Sequence, residues 1–83
     1  MRNEHTWKER TEDGEKREVR VTKEAGLWRL QSKVRGDEAW TYHKHPSIQD
    51  LETFRELLQR KYQRKRAAYE DILLVDRMIH ENT

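Results

Sequence analysis

His45-Pro46-Ser47 is the point at which the chain changes periodicity. Before it, apolar residues come in short alternating runs broken by Gly14, Gly26 and Gly36. After it no Gly or Pro occurs through Thr83, and the apolar residues fall at helical spacing. Alternation places side chains on the two faces of a strand, and a 3.6-residue period places them on one face of a helix. The expectation is an α+β fold: a four-stranded antiparallel meander, followed by one long or two consecutive C-terminal helices packing on one sheet face. The 83 residues are read as a single domain, with residues 1–45 as meander and 47–81 as the helical segment.

Working forward from the junction, Pro46 ends the strand and Ser47 is a good helix N-cap. Asp50, three residues on, completes a near capping box. Ile48, Leu51, Phe54, Leu58 and Tyr62 form an apolar stripe expected to cover the sheet. Past Tyr62 the reading forks. A single helix from Ser47 to Glu81 would be roughly 50 Å long, whereas an eight-residue strand spans about 27 Å. Ala68, Ile72, Val75 and Ile79 make a second stripe that such a rod would leave beyond the sheet. Either the chain breaks near Arg64 to Ala68 and folds back, or the rod continues and pairs with another subunit. Lys61 and Lys65 would fall in the seam of a continuous heptad, against a uniform coiled coil. Against a break, Arg64 to Ala68 holds no Gly, Pro, Ser or Asn.

Working backward, four runs read as strands: His5–Thr11, Arg17–Lys23, Leu27–Val34 and Ala39–His43. Glu12-Asp13-Gly14 suits a type I turn with a G1 bulge, and Ala25-Gly26 a two-residue hairpin loop. These loops set Trp7 opposite Val19, His5 opposite Val21 and Val21 opposite Leu30. The Gly36-Asp37-Glu38 turn is expected to set Val34 opposite Trp40 and Ser32 opposite Tyr42. Trp7, Val19, Val21, Trp28, Leu30, Val34, Trp40 and Tyr42 then share the core face. Lys8, Arg10, Arg20, Arg29 and Lys33 lie on the other, with Glu18, Thr41 and His43 among its remaining members.

Composition narrows the function classes. No cysteine is present, so disulfides, thiolate metal sites and cysteine nucleophiles are excluded, in keeping with a reducing compartment. No apolar run approaches the roughly 20 residues of a membrane span, and Met1 to Arg10 lacks a signal-peptide core. A cytoplasmic protein without membrane contact is the expectation. Charged residues make up 41% of the chain, yet the net charge is only +2. A pI near 9.0 is compatible with anionic partners and does not require them.

No catalytic, metal or cofactor motif stands out. His43 and His45, two apart, could meet His80 or Glu81 at a metal, but the spacing fixes no third ligand and two surface histidines at a strand end are the better account. Asp76 and His80 lie four apart on a helix with no nucleophile at a readable spacing. The three tryptophans suit a core better than a ligand pocket. An enzyme is not expected, nor a cofactor.

Two functions remain. The first is an interaction module in which Ala68, Ile72, Val75 and Ile79 mediate homodimerisation or docking onto a protein partner. The second is a small nucleic-acid-binding module. Arg60, Lys61, Arg64, Lys65 and Arg66 put five charges in seven residues, suited to phosphate contact, with the outer sheet face as a second basic surface. The bland alternatives are a solvated helix face and a solvated sheet face. Single-strand binding also calls for aromatics on the platform, and the expected registers turn every tryptophan away from it. The interaction role therefore ranks first on sequence alone.

Overall fold

The computed structural model describes residues 4–82. They form β1 (Glu4–Arg10), β2 (Lys16–Glu24), β3 (Leu27–Val34), β4 (Thr41–His43), α1 (Ile48–Gln63) and α2 (Tyr69–Glu81). The strands make one antiparallel sheet in the order β1-β2-β3-β4. Residues 4–44 form one structural unit and residues 45–82 another.

In the sheet unit the first two hairpins follow their turn chemistry. The Gly14 amide donates to the Thr11 carbonyl, and Gly14 takes φ +82°, giving the type I turn and left-handed residue that the three-residue loop demands. Ala25 and Gly26 both have positive φ, +51° and +76°, as a type I′ turn requires. Trp7 pairs with Val19, His5 with Val21, and Val21 with Leu30. Val19, Val21, Trp28 and Leu30 are buried on this face, beside His5, whose ring meets Trp28 edge-on at 5.5 Å.

The fourth strand departs from its expected register by one residue. Ser32 pairs with Thr41, Gln31 with Tyr42 and Leu30 with His43. Trp40 precedes the ladder altogether. A one-residue slip turns a strand over, so Thr41 and His43 take the core face while Trp40 and Tyr42 leave it. The turn itself forms as expected, with the Asp37 amide donating to the Val34 carbonyl and the Val34 amide to Asp37 Oδ2. The chain beyond that turn is longer than a tight hairpin needs, and its extra residues reset the parity. Ser32 Oγ and His43 Nε2 share a 2.5 Å hydrogen bond that holds the observed register on the inner face.

In the helical unit Ser47 is the N-cap of α1, its Oγ accepting from the Asp50 amide at 3.1 Å. Leu51, Phe54 and Leu58 are buried, whereas Tyr62, expected to continue their stripe, is 44% exposed. The fork is resolved as two helices. The Lys65 amide donates to the Tyr62 carbonyl at 2.9 Å and the Arg66 amide to the Lys61 carbonyl at 2.7 Å, a Schellman closure of α1. Lys65 occupies the left-handed position, φ +60°, where glycine is usual. The break lacked a sequence signature because a lysine fills the glycine's place. The helices then pack on each other. Tyr62 and Tyr69 meet across the turn at 5.8 Å, and Arg55 Nε donates to Asp76 between the helices.

Candidate nucleic-acid interface on the outer face of the sheet

Period-two alternation sends Lys8 and Arg10 of β1, Lys16 and Arg20 of β2, and Arg29 and Lys33 of β3 to the face opposite the buried valines. Glu4, Glu18 and Glu24 share that face, leaving it net positive. The slipped register adds two aromatic rings. The Arg20 guanidinium lies 4.5 Å from the Trp40 ring centroid, and Lys33 Nζ reaches the same ring at 6.0 Å. Arg29 sits 5.9 Å from the Tyr42 ring centroid and donates from Nη1 to the phenol oxygen at 2.6 Å. Cation–π attraction holds Trp40 beside Arg20, whereas Tyr42 is tied to Arg29 by the hydrogen bond at its phenol oxygen.

The two arginines are oriented differently. Arg20 donates from Nε and Nη2 to Gln31 Oε1, at 3.2 and 2.8 Å. Gln31 and Trp40 are both uncharged, so they fix the guanidinium without neutralising it. Arg29 carries an acid as well, with Glu24 Oε2 3.2 Å from its Nε. The surface between them is an open hollow of about 310 Å³ bordered by Arg20, Arg29, Gln31 and Tyr42, with Glu4 and Glu24 also on its rim. A second hollow of about 380 Å³ lies toward the β3–β4 turn, bordered by Lys16, Glu18, Lys33 and Asp37. Tyr42 is 47% exposed and Trp40 half-buried, so both rings border solvent.

Trp40 and Tyr42 are the site residues that sequence reasoning missed. Their signal was present as Trp-x-Tyr alternation ahead of His43, but the turn signal left the parity of β4 open. Both faces can accept such a strand: inward rings extend an apolar core, and outward rings rest on arginines.

The helical cluster behaves differently. Arg60, Arg64, Lys65 and Arg66 are exposed, and Lys61 is half-buried. Arg60 and Lys61 belong to the last turn of α1, where cations also suit the helix dipole. Arg64 to Arg66 form the turn between helices. The second predicted stripe does not survive as an exposed surface. Ile72 and Val75 are buried within the chain, and Ala68 and Ile79 are partly so. In this unit Asp76 accepts the hydrogen bond from Arg55 and, by that bond and by its charge, raises the guanidinium pKa above its ordinary value. Among the described residues no three His, Asp or Glu side chains gather as a metal site, and no helix is long and apolar enough to cross a membrane.

No protein-family model, curated protein or solved structure matches this chain.

Proposed function

We propose that the protein is a small single-stranded nucleic-acid-binding module whose contact surface is the outer face of its sheet. The observation that carries this reading is Arg20 over the ring of Trp40, with Arg29 bonded to the phenol oxygen of Tyr42 two residues further along the chain. A single strand offers phosphates at its backbone and flat bases beside them, and binders meet both with cations interleaved among aromatic rings. Arg20, Arg29 and Lys33 supply the first element, Trp40 and Tyr42 the second. Lys8, Lys16 and Arg10 extend the charge along the face. Such a ligand suits the cytoplasmic setting expected of a cysteine-free chain.

Homodimerisation through Ala68, Ile72, Val75 and Ile79 loses its motive, because Ile72 and Val75 are already covered by their own chain. The basic residues Arg60, Lys61, Arg64, Lys65 and Arg66 are secondary here, since they belong to the helical unit and the reading rests on the Arg20–Trp40 contact of the sheet unit.

Titration of a labelled single-stranded oligonucleotide over a salt series tests the reading. Roughly four phosphate contacts predict a log–log salt slope of about −3. Trp40→Ala should cost about 1–3 kcal/mol, the usual value of one stacked base. Charge reversal of Arg64, Lys65 and Arg66 should do less than reversal of Arg20 and Lys33. Absence of saturable binding at low salt, or binding untouched by Trp40→Ala, would reject it.

A further inference from the structure

The largest exposed apolar side chains of the helical unit gather at its turn. Tyr62 is 44%, Tyr69 56% and Leu73 48% exposed. The tyrosine rings meet at 5.8 Å, and Leu73 lies one turn along α2 from Tyr69, on the same helix face. The Schellman closure places Arg64, Lys65 and Arg66, all exposed, in the connection between the two tyrosines. The corner is thus an apolar patch with a basic rim, and Glu70 and the buried Asp71 in the first turn of α2 are its acidic neighbours.

We propose that this corner is a docking site for an acidic peptide segment that inserts an apolar anchor against Tyr62, Tyr69 and Leu73. The rim sets the charge of the partner, since carboxylates on the incoming segment complement Arg64, Lys65 and Arg66. A second copy of this chain is disfavoured, because a two-fold pairing would oppose the same three cations. A nucleic acid is disfavoured as well, because Leu73 offers neither a stacking plane nor a hydrogen bond. The pairing of exposed tyrosines with arginines is the composition that interface hot spots favour. The site is built from residues of the helical unit alone, and the proposal does not depend on the reading given for the outer sheet face.

Anisotropy with three short fluorescein-labelled peptides provides the test. One carries leucine and phenylalanine at helical spacing among glutamates; the second replaces its glutamates with lysines; the third keeps the glutamates and lacks the apolar residues. The first should bind, and the other two should bind at least about tenfold more weakly. Leu73→Ser and the triple variant Arg64→Glu, Lys65→Glu, Arg66→Glu should each weaken the first by a similar factor, while Trp40→Ala leaves it unchanged. The side chains altered at the corner are all exposed and Trp40 is half-buried, and circular dichroism checks that each variant keeps its fold. Equal affinity for the three peptides, or no effect of either corner variant, overturns the proposal. So does displacement of the peptide by an oligonucleotide, or a dimer that Leu73→Ser dissolves.

Discussion

Arg20 on β2 lies 4.5 Å over the ring of Trp40, a residue just outside β4 and separated from Arg20 by the whole of β3. The contact bridges β3, whose Gln31 anchors the same guanidinium. It turns what would be an ordinary charged sheet face into one where rings and cations alternate. It also identifies Trp40 as a surface tryptophan in a chain whose Trp28 is 2% exposed.

The two tryptophans should therefore differ sharply in stability measurements. Trp28→Ala removes a fully buried ring and should cost about 3–5 kcal/mol, a large share of what a domain of this size has. Trp40→Ala removes an aromatic–cation contact on the open face and should cost about 1 kcal/mol or less. Urea denaturation of both variants checks the order. Equal losses would mean that Trp40 belongs to the core after all.

Lys65 holds a left-handed backbone, φ +60°, at the position where helices most often place glycine. Lys65→Gly should raise stability by about 1 kcal/mol, the relief of the left-handed strain less the greater freedom of glycine in the unfolded chain. Thermal unfolding reads this as an increased Tm. A decrease would show that the turn takes another conformation.

Ser47 Oγ satisfies the Asp50 amide, one of the unpaired donors at the start of α1. Ser47→Ala should destabilise by about 1 kcal/mol, and Ser47→Asp should retain most of the wild-type stability. Denaturant midpoints of the two variants, compared with wild type, give the answer.

Arg55 and Asp76 join the two helices at side chains that are 37% and 39% exposed. With that much solvent, a double-mutant cycle with Arg55→Ala and Asp76→Ala should give a coupling of about 0.5–1 kcal/mol that shrinks with added salt. A coupling insensitive to salt would point to packing of the arginine stem as the source.

The legible parts of this chain are those where chemistry fixes geometry locally. Gly14, the Ala25-Gly26 pair and Ser47 each specify a turn or cap, and the first two hairpin registers follow from them. The β3–β4 connection shows where that reasoning stops. Asp37 fixes the first bend, but nothing local counts the residues between it and Thr41, and one residue decides which face Trp40 takes. The helix break was legible only as a mismatch of lengths, because Lys65 does the work of a glycine with no sequence mark. The candidate site was half visible for the same reason: its cations alternate in register with well-fixed strands, and its rings lie on or just ahead of the strand whose parity was open.

The most direct test follows the indole N–H resonances of Trp7, Trp28 and Trp40 by NMR while a single-stranded oligonucleotide is added. Trp28 is buried, and the Trp7 indole donates to Glu9 at 2.7 Å on the opposite face from Trp40. The account predicts that the Trp40 resonance moves with saturation while the other two stay near their starting positions. A Trp40 resonance that stays fixed through the titration, or moves no more than that of Trp28, would contradict it.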